Sequence, residues 1–417
     1  MKALTRGVPV NFVLMGGGQA LAMLFHVFAA RALGVSGYGS FSYAHSNAML
    51  IATIVALGWP LASMRFVAQY RERGEWAYLR GILLQGHYVV LSLAAGATIV
   101  LLAAAWLLRS RPEGARAAVL MAVMTPLFAL TLLRGRQLRG LMRVTASIVF
   151  GSVAVPALAL AAVFAFKVDT AVGLVTVFAL TALGVRVVET GYLYRVTPDG
   201  AKSARTRYDF RLWSRVAIVL ALGELGRTVV FRADVFMLGT LAGAEHVGIY
   251  SGVRRACVPI TFMLVAVNAI AGPVLGSAYH GGRRAEFLEV LRRSAMWSLA
   301  GALPPFAVAF FAPGWLMSWF GEGFVAGEAV LRVAACGALV NAATGPVTMA
   351  LVLTGKERPH AISTSIAAVV SVAVNAVVIP RWGALGAAWV ATGVVGGLNC
   401  WLFMLARRAA PSGGDGT

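Results

Sequence analysis

The stretch Ser214–Leu241, SRVAIVLALGELGRTVVFRADVFMLGTL, is long and apolar enough to cross a bilayer as a helix. It nevertheless carries Glu224, Arg227, Arg232 and Asp234. A charge at membrane depth costs roughly 2.5–3.5 kcal/mol even on lenient insertion scales. Such charges persist where they face water, a charged partner or a charged cargo. At helical periodicity the four fall within an arc of about 160°, which leaves Val219 and Val230 for the opposite face. This pattern predicts a membrane protein that handles something polar inside the bilayer.

The rest of the chain agrees. Of 417 residues, 59% are hydrophobic and 12% charged, with a mean hydropathy of +0.79. Soluble domains average about 25% charged residues, so the composition is that of a polytopic membrane protein. Apolar runs lie near 8–33, 43–64, 81–108, 117–133, 144–166, 171–194, 214–241, 248–276, 294–319, 326–354, 359–380 and 384–406. Each is close to the length of about 20 residues that a span needs, which predicts twelve transmembrane helices. Lys2 and Arg6 precede the first run as in a secretory signal, but Val8–Leu33 exceeds an apolar core of about 7–15 residues and reads as a retained helix.

The formal charge of +20 would suggest nucleic acid in a soluble protein, but its distribution gives another reason. Basic residues concentrate at alternate breaks: Arg65, Arg71, Arg73 and Arg80; Arg134, Arg136, Arg139 and Arg143; Arg195, Lys202, Arg205, Arg207, Arg211 and Arg215; Arg283, Arg284, Arg292 and Arg293. The opposite breaks hold few, among them Arg109, Arg111, Arg116, Lys167 and Arg381. That asymmetry is the positive-inside rule, with both termini cytoplasmic. No nucleic-acid partner is expected.

The longest polar break, within 196–213, divides the chain into an N-terminal six-helix bundle (1–195), a cytoplasmic linker (196–213), a C-terminal six-helix bundle (214–407) and a cytoplasmic tail (408–417). Short motifs recur across the break. Gly39-Ser-Phe-Ser42 answers to Gly248-Ile-Tyr-Ser251, Pro60 to Pro273, and Leu138-x-Gly140-x-x-Arg143 to Leu353-x-Gly355-x-x-Arg358. Six helices per half make the repeat parallel, an architecture suited to two bundles rocking about a central cavity.

Further charges sit at depth. Arg186 and Glu189 share a helix face, three residues apart; Arg31, Arg254, Arg255 and Arg332 lie in or near the ends of other spans. Two readings stand for Glu224–Arg227 and Arg186–Glu189, as structural ion pairs or as parts of a site. The remaining arginines have only Asp234 as an acidic partner within the spans, and that surplus would repel itself at low dielectric unless water or an anion fills the space. Arginine suits phosphate, because its planar fork donates two parallel hydrogen bonds and stays charged at any depth. The candidate cavity residues are therefore Arg31, Arg227, Arg232, Arg254, Arg255 and Arg332. Glu224, Asp234, Arg186 and Glu189 are candidates for ion coupling or structural pairing, with a proton or sodium ion as the coupled species. Tyr43, His45, Asn47, Asn268, Asn341 and Asn375 are candidates for cargo selectivity.

Enzyme chemistry has no footing. Gly16-Gly-Gly18 lacks the Gly-Lys-Ser/Thr of a phosphate loop, no histidine and carboxylate spacing suggests a metal, and no cofactor is implied. Cys257, Cys336 and Cys400 lie in apolar runs and read as small core residues.

Arg31-Ala-Leu-Gly-Val-Ser-Gly-Tyr-Gly39-Ser-Phe, Arg232-Ala-Asp234-Val-Phe-Met-Leu-Gly239, Val247-Gly248-Ile-Tyr250-Ser, Leu353-Thr-Gly355-Lys-Glu-Arg358 and Ile379-Pro380-Arg-Trp-Gly383-Ala-Leu-Gly386-Ala-Ala388 occur in order along the chain. Together they resemble bacterial polysaccharide flippases, of the O-antigen type, in the multidrug/oligosaccharidyl-lipid/polysaccharide superfamily. Arg31 and Asp234 occupy positions that match that family. The resemblance implies an inner-membrane flippase that moves a polyprenyl-pyrophosphate-linked oligosaccharide by alternating access for surface polysaccharide biosynthesis, including lipopolysaccharide. It implies membrane lipids, a polysaccharide polymerase and glycosyltransferases as partners. The alternative within the same superfamily is a cation-coupled drug or metabolite exporter. Twelve spans argue against the lipid II branch, which has fourteen, and the basic surplus argues for an anionic glycolipid.

Overall fold

The computed structural model describes residues 2–409, so nearly all of the expected tail at 408–417 lies outside the described residues. Among those described, every regular element is a helix. Nine are long and apolar enough to cross a membrane. Two of the nine are folded at a glycine: α1 (Lys2–Val55) at Gly34, with φ +66°, and α16 (Glu357–Arg408) at Gly383, with φ +51°. Each therefore holds two spans. Only glycine adopts such angles without strain, and at Gly383 the backbone amide of Ala384 donates to His246 Nδ1 at 3.3 Å. With α9 (Phe210–Leu241), whose charges keep it out of the apolar set, the twelve expected spans are accommodated.

The chain packs into two compact units. The first comprises residues up to Leu33 and Ser40–Thr228; the second comprises Gly34–Gly39 and Val229 onward. The division falls inside α9.

The first unit contains most of α1, then α2 (Trp59–Arg73), α3 (Trp76–Leu107) and α4 (Pro112–Gly140). A short α5 (Val144–Ile148) passes into a π-helical turn, Val149–Ala154, before α6 (Val155–Phe166) and α7 (Ala171–Val196). Pro156 at the start of α6 has no amide hydrogen, which removes one donor from the turn before it. The polar segment 196–213 includes α8 (Asp199–Ser203) and is held to α3. Arg80 donates to the carbonyls of Lys202 (2.7 Å) and Ala204 (3.0 Å), and the Arg207 amide donates to Ala77 (3.1 Å). Trp213 is fully buried and its indole donates to the Tyr70 hydroxyl at 2.9 Å, fixing the start of α9 against α2.

The second unit contains the end of α9, α10 (Ala244–Ala256), α11 (Val258–His280), α12 (Arg284–Phe311), α13 (Pro313–Ser318), a 3-10 turn (Glu322–Gly327), α14 (Glu328–Thr344), α15 (Val347–Leu353) and α16. Leu275, Phe287, Leu291, Val347, Leu351 and Leu402 form its core, drawn from α11, α12, α15 and α16. The two glycines of the repeated motif meet here. A Cβ on Gly39 would collide with the Ala244 carbonyl, and one on Gly248 with the Val35 carbonyl, so both glycines permit backbone-to-backbone approach.

Two details depart from the expected boundaries. The break expected at 34–42 is confined to a sharp kink at Gly34, where φ/ψ is non-helical, and a further break falls at Leu57 and Gly58, which also have positive φ. The ninth expected span, 294–319, is cut short: α12 ends at Phe311, ahead of Pro313, with α13 as a separate turn.

Candidate functional site: a lined cavity and the buried charges

In the second unit, α9, α10, α11, α14 and α16 line an open cavity of about 340 Å³. Asp234, Tyr250, Arg254, Cys257, Thr261 and Asn341 supply its polar wall, and small residues of α14 and α16 supply much of the remainder. Asp234 is 5% exposed and saturated. Its Oδ2 accepts from the Tyr250 hydroxyl at 2.6 Å, its Oδ1 from the Val235 amide at 2.7 Å, and both oxygens lie 3.3 Å from Arg254 Nη1. The same nitrogen donates to the Phe231 carbonyl at 2.8 Å. Arg254 keeps 37% of its side chain exposed, so the pair is closed on the acid's side and open on the base's. Asn341 accepts from Asn399 at 2.8 Å. Arg255, beside this wall on α10, shares a side-chain hydrogen bond with Tyr38.

The other candidates are distributed over both units. Glu224 and Arg227 form an ion pair at 2.5 Å, with Arg227 55% exposed. Glu224 and Arg136 line a small void of about 30 Å³ with Thr53, Gly58 and Pro60, room enough for water. Arg332 lies 3.4 Å from Glu328, one helical turn away. Arg31 is exposed on α1 just before its bend, and Arg232 is half-buried on α9.

Arg186 and Glu189 form a buried ion pair on α7. Arg186 Nη2 also donates to the Phe150 carbonyl of the π-helical turn at 2.7 Å. Arg134 of α4 joins them: its Nη1 donates to Thr190 Oγ1 at 2.9 Å, and its Nη2 lies 3.0 Å from His87 Nδ1.

These placements correct part of the charge argument. Arg134 is expected from the sequence in a cytoplasmic break, yet α4 runs to Gly140 and buries it. Arg332 belongs by sequence to the surplus that has only Asp234 for a partner, yet Glu328 lies beside it and Asp234 itself is taken by Arg254. Sequence reasoning also misses His87, Tyr38 and Tyr250 as partners. Tyr250 has a signal, since it stands in the repeated motif; His87 and Tyr38 have none, because their partners are remote in sequence. Of the selectivity candidates, Asn341 lines the cavity. His45 packs edge-on against Phe128 and Phe178 at 4.9 and 5.5 Å. Asn47 donates to the Tyr43 carbonyl, Asn375 is buried beside Ser371, and Asn268 is half-buried. No group of metal-ligating side chains occurs among the described residues.

Residues 4–277 match the family described as polysaccharide biosynthesis protein. The chain belongs to that family. Residues 220–377 also match the family described as MatE. Its fold resembles that of a multidrug resistance MATE family transporter of the MOP superfamily in an inward-facing conformation. That likeness has a TM-score of 0.74 at 15% identity and covers 95% of this chain and 97% of that one. It also resembles lipid II flippase MurJ in an inward closed conformation, with a TM-score of 0.69 at 12% identity over 96% and 87% of the two chains. A third likeness is to a MOP superfamily transporter from Pyrococcus furiosus, described as having a binding pocket of reversed polarity. Its TM-score is 0.64 at 15% identity over 95% of each chain. No curated protein sequence matches. The nine apolar helices among the described residues are those of a multi-pass membrane protein, and its fold is similar to that of these transporters and this flippase.

Proposed function

We propose that this protein is a flippase that moves a polyprenyl-pyrophosphate-linked oligosaccharide across the bacterial inner membrane by alternating access. What supports the reading is the set of arginines on α9 and α10, within stretches that the sequence marks as spans, in a chain of the polysaccharide biosynthesis family. Two six-helix bundles, 1–195 and 214–407, joined by the linker 196–213, are the moving parts, with both termini cytoplasmic. Arg227, Arg232 and Arg255, and with them Arg31, Arg254 and Arg332, replace water that the pyrophosphate loses. Asp234 acts as a strut that aims Arg254. The grip on the cargo is moderate, because binding one state too tightly would trap it.

The test is to change Arg227 or Arg232 to Ala in a strain that depends on this gene for surface glycan. The expected result is loss of surface glycan, with normal protein level and lipid-linked oligosaccharide accumulating inside. Normal glycan in both variants overturns the reading.

The MatE match favours a second reading, export of a drug or metabolite cation. It predicts that loss of the protein raises sensitivity to cationic dyes without changing surface carbohydrate. Against it, a cation exporter needs an acid open to the cation, and the oxygens of Asp234 are occupied while Glu224 is paired with Arg227.

A further inference from the structure

The cluster of Arg134, His87, Arg186 and Glu189 plays no part in the cargo site proposed above, and it is left incomplete. Glu189 is 0% exposed. Its Oε2 is paired with Arg186, while Oε1 is buried with no hydrogen-bond partner. Arg134 Nε, a donor, is also buried and unpartnered. Arg134 is already bonded to Thr190, the residue next to Glu189. A donor and an acceptor that both lack a partner therefore sit in one cluster, at the full desolvation cost of each.

What holds Arg134 in place is His87. A guanidinium donates through five N–H groups and accepts nothing. The contact between Arg134 Nη2 and His87 Nδ1 therefore requires Nδ1 to be the acceptor, with the imidazole neutral and its proton on Nε2. An imidazolium has two donors and no acceptor, so a protonated His87 loses this bond and faces Arg134 as a like charge.

We propose that His87 is a proton-binding site, and that protonating it hands Arg134 over to the vacant oxygen of Glu189. The proton adds to Nδ1, the bond from Arg134 breaks, and the guanidinium turns to the carboxylate, which then bridges two arginines. The handover loosens α4 from α3 and tightens it on α7, next to the π-helical turn whose Phe150 carbonyl Arg186 holds. π-helical turns are frequent at functional sites. The charged groups facing this switch are Arg134 from α4 and, beyond it, Arg186 and Glu189 from α7. On α3 itself the ring of Tyr88 lies 6.4 Å from that of His87. Among the described residues α2 and α8 bring no charge to bear on the imidazole. The proposal does not depend on the identity of the cargo.

The experiment is nitrogen NMR of histidine-labelled protein in lipid nanodiscs, where only six histidines contribute, alongside hydrogen exchange of α3, α4 and α7 across pH. At alkaline pH, His87 should show an unprotonated Nδ1. On acidification it should gain a proton, and exchange protection of α3 and α7 should change in opposite directions with the same midpoint. His87→Gln keeps an acceptor but binds no proton, and should lose that pH-dependent change. Glu189→Gln should keep the titration and lose the change in α7. A protonated Nδ1 at alkaline pH, or an unaltered pH response in His87→Gln, overturns the proposal. If His87→Gln does not fold, the wild-type tautomer and its titration decide the matter. Transport is not the readout, so failure here leaves the flippase reading standing.

Discussion

Two clusters of charge at membrane depth invite comparison, one in each unit. Arg186 and Glu189 are sealed within the first unit, and the carboxylate keeps one oxygen without a partner. Asp234 and Arg254 line a cavity in the second, where the acid is saturated and the base stays partly open. The same pair of residue types thus serves in two ways. Where no cavity adjoins, burial forces the partners together and any gap in the bonding is a cost. Where a cavity adjoins, the acid can be locked and the base left available to whatever enters.

The largest test of this contrast is Glu189→Ala. It leaves Arg186 buried without its counter-charge and should cost about 3–5 kcal/mol, read as a large fall in thermal unfolding temperature and in the yield of monodisperse protein. Replacing both partners, Glu189→Leu with Arg186→Met, should recover most of the loss. If Glu189→Ala unfolds like the wild type, the first cluster is not sealed.

Asp234→Ala removes an acceptor of three hydrogen bonds but leaves Arg254 on a cavity wall that water can reach. The expected loss is smaller, about 1–3 kcal/mol, and urea or thermal unfolding in detergent measures it. A loss equal to that of Glu189→Ala would erase the distinction between the clusters. Tyr250→Phe removes one donor to Asp234 and should cost about 0.5–1.5 kcal/mol. Its sharper readout is cargo transport, which should fall because Arg254 is aimed less well.

The smallest effect on stability is expected for Arg227→Ala. The pair with Glu224 is more than half exposed on the basic side, and such pairs contribute roughly 0.2–1 kcal/mol. Export of surface glycan should nevertheless be lost. A variant that is both stable and fully active would place Arg227 outside the site.

Much of the architecture is legible from the chain because a bilayer imposes one-dimensional rules. Apolar length marks a span, and the glycines at 39 and 248 are visible as a repeat before their role is apparent. The pairing of charges is legible only where partners lie one turn apart, as in Arg186–Glu189 and Glu224–Arg227. Asp234 cannot be assigned to Arg254 from spacing, since the two lie on different helices. Arg134 is misplaced for a related reason. Its guanidinium is held by His87 and Thr190 from two other helices, so α4 continues past three of the four arginines that read as a loop.

By itself the sequence determined the helical class, the number of spans and the presence of charge at depth. Hydrophobic length, helical periodicity and insertion cost are all properties of neighbours along the chain. Tertiary structure alone decided which charges are sealed and which line a cavity, because that depends on the helices that happen to be adjacent in space. Burial sets the cost of each charge, and burial is a property of the packed fold.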